Sequence, residues 1–594
     1  MKATIYILFF LFCTLSVVAQ QYYVRGEVKD EAGNVLQNVT IIQFKTGYVF
    51  RSGSAGTFGI VANHQIDTFS FFLEGYLKQL ILVNADNYVS VKLKLAPASA
   101  GKFKRDRLCS QTKNLEKEEQ KSWFTGEETY ASLLENRFVN TKKFPSTGMT
   151  LNVDRASYSN IRRFITLKSF VPPDAVRIEE MLNYFNLNYH QPEEGQIFKI
   201  KSTLSSSPWN PDNQLFFVDI SSRKLNLDTL PPNHLVFLID VSGSMDMPNR
   251  LPLLKSAFRL LVNNLREKDS VAVVVYGGTV GVMLNTTSGA EKEKILKTID
   301  ELEPGGSTPG ESGIRLAYSV ARNHFIKNGN NRVILATDGD FNVGMKTEAE
   351  LDELISKQRE SGIYLTCLGV GMGNYKDSKI QTLSEKGNGN FAYLDNFKEA
   401  EKVMLKEFTQ TLYTVADDVY MSVDFNPEYV KEYRLIGFDN KVGALRDSLS
   451  VIEGGEIGSG HSIIALFEIV PTEINKGAIK DEFTIGRLAD LQIKYRQPGN
   501  PKEETFRYIG RFDYTPFNEL DKCYHFSAAV ALFGSLLRSS PFIKNADWDD
   551  IIALTESSLG ARNDLLQKEF LLLVQQAKAL YTKTKKKKGG AVEW

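Results

Sequence analysis

The sequence predicts a multidomain chain. Its centre is a doubly wound α/β parallel sheet at residues 233–412, inserted in or flanked by a β-sandwich. A small β-sandwich precedes these parts and a helical segment follows them. Three observations predict this. The 594 residues are too many for one hydrophobic core. Short apolar runs alternate with one-faced helices between 233 and 412, which signals a sheet covered on both sides. Runs of alternating polarity flank that region, and helical spacing takes over after residue 512.

Residues 1–19 read as a secretory signal. Lys2 supplies the positive end, Ile5–Val18 the apolar stretch and Val17-Val18-Ala19 a small-residue cleavage site. Cys13 invites a lipid anchor, but Phe12 before it is larger than a lipobox accepts. No later stretch is long and apolar enough to span a bilayer. The expectation is an exported protein of the periplasm or cell surface, associated with the outer membrane at most peripherally. Lys+Arg and Asp+Glu stand equal at 71 each, so no nucleic-acid footprint is expected. The basic tail at 583–594 reads as solvated. Cys109, Cys367 and Cys523 are far apart and give neither a disulfide framework nor a zinc spacing.

Residues 22–95 carry short strand runs at Val24–Val28, Val39–Ile42, Phe58–Ile60, Phe69–Phe72, Leu80–Val83 and Val89–Leu95. The segment resembles carboxypeptidase-regulatory-like domains, which are transthyretin-like sandwiches. The resemblance lies in Gly26-Glu27-Val28-Lys29-Asp30, Gly33, Gly56-Thr57-Phe58 and Gly75-Tyr76, with Ser54-Ala55 where that family often has Thr-Asp. Residues 96–140 are charged and read as a linker. In 141–195, Ile178, Met181, Leu182 and Phe185 fall on one helical face, and Asp174 reads as a helix-start residue. Asp154 is a second acidic candidate there. Residues 196–232 and 413–512 read as strands of one sandwich interrupted by the central domain. Residues 513–582 read as helices, with Phe570, Leu573, Val574 and Ala577 in register.

Within 233–412 the expected strands are Leu235–Ile239, Val271–Tyr276, Gly281–Leu284, Arg332–Thr337, Ile363–Val370 and Asn390–Leu394. One helix places Leu254, Ala257, Phe258, Leu261, Val262 and Leu265 on a face. Another places Ile314, Ala317, Tyr318, Ala321 and Phe325. Ligands of such sheets collect beyond the carboxyl ends of the strands, at the switch point. Asp240 follows one strand and Asp338 another, so both carboxylates emerge on that edge. Asp240-Val241-Ser242-Gly243-Ser244 can turn alternate side chains toward one point, with Gly243 expected to supply the bend. With Thr308, these residues offer two carboxylates and three hydroxyls. All are hard oxygen donors, which suits Mg2+, with Mn2+ or Ca2+ as substitutes, and disfavours zinc and copper.

Asp240-x-Ser242-x-Ser244 with Thr308 and Asp338 resembles the metal-ion-dependent adhesion site (MIDAS) of von Willebrand factor type A domains. The resemblance implies that Ser242 and Ser244 ligate directly and Thr308 directly or through water. It implies that Asp240 and Asp338 often act through water, while an acidic residue of a protein partner completes the shell. Pro172–Phe185, Asn233–Met245, Gly339–Gly344, Gly371–Tyr375 and Gly387–Asn390 extend the likeness to one exported bacterial subfamily, over roughly residues 135–580. Asp246 and Asp340 lie near the site without being expected as ligands.

The function expected from this reading is metal-dependent protein binding, not catalysis. Two alternatives stay open. One is a structural scaffold of the envelope that needs no metal. The other is a metal-dependent hydrolase, which would need an ordered base beside the ion. His64, His190, His234, His324, His461 and His525 form no recognised motif. The partner's identity and the oligomeric state are not written in the sequence.

Overall fold

A computed structural model of the chain describes residues 22–94 and 128–588, apart from short internal stretches. The main ones are 227–229, 278–279, 307–309, 340–354, 373–376, 439–454, 479–485 and 561–564. The expected leader with Cys13, most of the linker with Cys109, and Thr308 and Asp340 lie outside the described residues. The chain divides into two units, residues 1–105 and 106–594.

The first unit holds two sheets. Thr57–Ala62, Tyr22–Asp30 and Val89–Leu93 form one; Val49–Arg51, Thr40–Gln43, Ile66–Phe72 and Gln79–Asn84 form the other. Val24, Val28, Ile41, Phe58, Ile60, Phe69, Phe71 and Val91 bury one common core. Alternate residues along Thr57–Ala62 are buried and exposed, as expected of strands with one wet face.

In the second unit the central sheet has six strands. Their order is Gly281–Ser288, Ser270–Tyr276, Asn233–Asp240, Asn330–Thr337, Ile363–Val370 and Phe391–Leu394. All neighbours are parallel except the hairpin Ser270–Tyr276/Gly281–Ser288. Asn233–Asp240 is buried along its whole length because helices cover both faces. The Leu251–Asn263 helix buries Leu254, Ala257, Phe258, Leu261 and Val262 on one side. Gly310–Asn323 buries Ile314, Ala317, Tyr318 and Ala321 on the other. Phe325, expected on that face, lies past the helix end and is 43% exposed.

The strands before and after this domain share sheets. Gln214–Ser222 pairs antiparallel with Ser462–Pro471, Phe217 opposite Leu466. The sheet runs Phe198–Ser206, Gln214–Ser222, Ser462–Pro471, Val430–Ile436 and Val139–Asn140. The facing sheet runs Gly455–Gly458, Thr414–Phe425, Arg487–Arg496 and Glu503–Arg511, with Ser146–Thr150 also bonded to Thr414–Phe425. Phe216, Val218, Met421, Val423, Leu491 and Ile493 fill the space between. The strands at 139–140 and 146–150 differ from the sequence expectation of linker and helix-bearing segment. They are too short to show a period, and their partners lie far along the chain.

Ala156–Thr166 and Ile178–Tyr184 share an apolar core with Lys522–Leu537, Trp548–Ser558 and Leu565–Lys588. Phe185 meets Phe526 edge-on at 4.7 Å. The last helix continues to Lys588, where a tail was expected. Asp174 starts no α-helix. It lies in the Pro173–Ala175 turn and accepts the Leu133 N–H at 3.2 Å, while Arg177 stands at the start of Ile178–Tyr184. Asp154 accepts the Phe391 N–H at 2.8 Å and so caps the sheet's edge strand. Among the described residues no helix is long and apolar enough to cross a membrane.

Candidate functional site

Strand Asn233–Asp240 lies between Ser270–Tyr276 and Asn330–Thr337. The winding direction of the sheet reverses here, and the loops beyond Asp240 and Thr337 leave the same carboxyl edge, where ligands of such sheets collect. Asp240 is the last residue of its strand and fully buried; Asp338 follows the neighbouring strand and is 3% exposed.

The carboxylate of Asp240 is held at both oxygens. Oδ1 accepts the Ser242 N–H at 2.9 Å, and Oδ2 accepts the Thr337 hydroxyl at 3.1 Å. Thr337 Oγ1 in turn accepts the Gly339 N–H at 3.1 Å, which fixes the Asp338 loop. The side chains of Ser242 and Ser244 come together, Oγ to Oγ, at 3.1 Å. Ser242 is buried while Ser244 faces solvent, so the pair sits at the solvent edge of these loops.

The third loop is tied in by its backbone. Gly305 N–H donates to the Val241 carbonyl at 2.7 Å, and Gly243 N–H donates to the Gly306 carbonyl at 3.2 Å. This corrects the role expected of Gly243. Its φ is not positive, and an added Cβ would meet only Gly306 O, at 3.7 Å. The close approach is at Gly277 instead, where φ is +124° and an added Cβ would stand 2.3 Å from Ser242 N. The bend comes from Gly243–Met245, a single turn of 3-10 helix.

Arg250 completes the arrangement. Its Nη1 donates to Asp338 Oδ2 at 2.7 Å and to the Ser244 carbonyl; Nη2 donates to the Met372 carbonyl at 2.9 Å. Burial pushes the Asp240 carboxyl up to about 6, against the pull of its Ser242 hydrogen bonds, and the nearby Asp338 charge adds to the rise. His234 is remote from this edge. It is the second residue of the strand that Asp240 ends, and burial pushes its imidazole down to about 4.

Of the five residues expected to act together, Asp240, Ser242 and Ser244 form one bonded loop. Asp338 is joined to them through Thr337 and Arg250. Thr308 lies outside the described residues, two positions beyond the Gly306 anchor. Among the described residues no group of three or more His, Cys, Asp or Glu is placed to hold a metal; the expected donor set is mostly hydroxyl. Sequence reasoning missed Thr337 and Arg250. Arg250 carried a signal: it stands at the start of the Leu251–Asn263 helix, where the helix dipole disfavours positive charge.

Comparison with known proteins follows the same division of the chain. The family model described as von Willebrand factor type A domain matches residues 234–408. One described as von Willebrand factor matches 124–216, and one described as Uncharacterized protein YfbK, C-terminal, matches 410–580. The chain is 36% identical over 471 residues to "Uncharacterized protein YfbK" of Escherichia coli strain K12, covering 76% of this chain and 81% of that protein. It is 26% identical over 209 residues to inter-alpha-trypsin inhibitor heavy chain H2 of Mus musculus, covering 34% of this chain and 21% of that one. A solved von Willebrand factor type A structure from Catenulispora acidiphila aligns at 14% identity with a TM-score of 0.37, covering 62% of this chain and 89% of that chain. The chain belongs to the YfbK family of bacterial proteins that carry a von Willebrand factor type A domain.

Proposed function

We propose that the chain is an exported protein-binding module whose central domain grips a partner through a bound divalent cation, Mg2+ in the first place and Mn2+ or Ca2+ as substitutes. Asp240, Ser242, Ser244, Thr308 and Asp338 hold the ion. The observation that carries this reading is the Ser242–Ser244 hydroxyl pair, 3.1 Å apart beside a buried carboxylate. Two cis ligands of an octahedral Mg2+, with bonds of about 2.0–2.1 Å, stand about 2.9 Å apart, so the pair already has that spacing. The carboxylates of Asp240 and Asp338 supply hard charge behind it. When bound, the ion offers an open position to an outside oxygen. Ser244, at the solvent edge, would hold the ion on the side open to a partner.

The ion binds and the partner's acidic side chain completes its shell. No bond is made or broken, so the module is not an enzyme. Residues 22–95 are a carboxypeptidase-regulatory-like spacer, and export to the periplasm or cell surface follows from the leader at 1–19. The test is titration calorimetry with Mg2+. Asp240→Ala should lose measurable uptake while keeping its far-ultraviolet dichroism. Unchanged Mg2+ affinity in that variant would sink the assignment.

A second reading, a metal-independent scaffold of the envelope, is favoured by one observation. The first unit exposes apolar side chains on neighbouring strands, Phe72 at 46%, Leu80 at 59% and Leu82 at 71%. Crosslinking in the native envelope with and without EDTA separates the two. A partner that survives EDTA and the Asp240 change belongs to the scaffold.

A further inference from the structure

The loop cluster around Asp240 and Asp338 has a cation built into it. Arg250 is only 9% exposed, and its guanidinium ties three loops, those of Ser244, Asp338 and Met372. These loops leave the carboxyl ends of three adjacent strands. The third loop closes directly on the guanidinium: an added Cβ at Gly371 would stand 2.5 Å from Nε. The Tyr393 hydroxyl donates to the Gly371 carbonyl and backs that loop from the next strand. Arg250 stands at the start of a helix, where a positive charge is disfavoured. The ion pair with Asp338 offsets that cost.

Building on the metal-site reading above, we infer that Arg250 is the specificity-determining residue of this site, a fixed charge that makes the loaded centre demand an anionic partner. Two carboxylates, Asp240 and Asp338, would balance a divalent ion by themselves. The guanidinium on Asp338 cancels one of them. A centre holding a divalent ion would then be left with a positive excess, among buried groups where charge is weakly screened. The bare ion is held loosely, and an acidic side chain from outside restores neutrality. Arg250 acts here as a positioning and charge-setting residue. It touches Asp338 and two carbonyls and takes no place among the ion's ligands.

The test uses the full mature chain and separates charge from tethering. R250K keeps the charge and loses the three-loop tie; R250Q and R250M lose both. Mg2+ and Mn2+ are titrated calorimetrically into all four proteins, and thermal midpoints are recorded in EDTA and in Mg2+. The neutral variants should bind the bare ion about tenfold more tightly than R250K. In EDTA they should melt lower than R250K, with a larger rise on adding Mg2+, since Asp338 then lacks the guanidinium's charge. Affinity equal to or weaker than that of R250K in both neutral variants overturns the inference while leaving the metal site in place. If the unmodified chain takes up neither ion, the metal-site reading fails first and this inference fails with it. Should one neutral variant not fold, the other and the melting comparison still decide.

Discussion

Gly277 shows how little freedom the site's backbone has. Its φ of +124° belongs to glycine, and the space where a Cβ would go is taken by Ser242 N at 2.3 Å. Gly277→Ala should cost about 2 kcal/mol or more in urea unfolding and should weaken Mg2+ uptake, since relief of the clash moves Ser242. A variant as stable as the parent would show that the loop yields easily. At this scale the sequence was readable where partners are neighbours. Asp240, Ser242 and Ser244 lie within five consecutive positions, so their spacing alone suggested a shared point. Thr337 and Arg250 were not readable, because each reaches its partner, Asp240 or Asp338, across 97 or 88 positions.

The helix Ala156–Thr166 shows what an element does for its neighbours. It lies along Phe391–Leu394, the edge strand of the central sheet, and Ser159 Oγ donates to the Tyr393 carbonyl at 2.8 Å. Exposed strand edges invite pairing with other chains, and this helix covers one. Arg162 fastens it. The guanidinium donates to Asp395 at 2.8 Å, Glu399 at 2.7 Å, Glu569 at 2.6 Å and the Tyr184 hydroxyl at 3.2 Å. Arg162→Met would leave Asp395 buried without the guanidinium and Glu399 with only Lys402, at 3.8 Å, a loss of about 3–5 kcal/mol. Equilibrium urea unfolding reads this directly, and a change under about 1 kcal/mol would mean that the ion pairs of Arg162 contribute little. The helix itself was only partly legible from sequence. Its polar side chains, Ser157, Ser159, Asn160, Arg162 and Arg163, are all buried. A reading by apolar period therefore sees a wet face where the structure has contacts.

The seam between the inserted sheet and its host sandwich carries a pH dependence. Arg332 of the central sheet meets Glu456 of the sandwich at 3.4 Å, with Asp417 also near. Burial pushes the Glu456 carboxyl up to about 8, although Arg332 pulls the other way and Asp417 adds to the rise. The folded chain therefore keeps a proton here that the unfolded chain releases near its ordinary value of 4.5. Stability from this group is complete below that value and is lost as pH rises toward about 8. Glu456→Gln should flatten the fall in urea midpoint between pH 5 and pH 8. An unchanged slope would place the ionisation elsewhere.

The central domain was legible at this scale because its signals are local: apolar strands, one-faced helices and acidic residues at strand ends. Membership of the sandwich was less so. Ser146–Thr150 has too few residues for a period, and only its pairing with Thr414–Phe425 makes it a strand. The helices at 156–184 and 522–588 share a core that no local pattern announces.

The pairing of Phe217 with Leu466 has a consequence for biogenesis. A chain emerging from its amino end presents Gln214–Ser222, buried throughout in the finished protein, long before Ser462–Pro471 exists to sit beside it. The central domain can close on itself meanwhile, but the host cannot. During synthesis that sticky half-sheet must be shielded by a chaperone or kept from collapsing until the rest of the chain arrives.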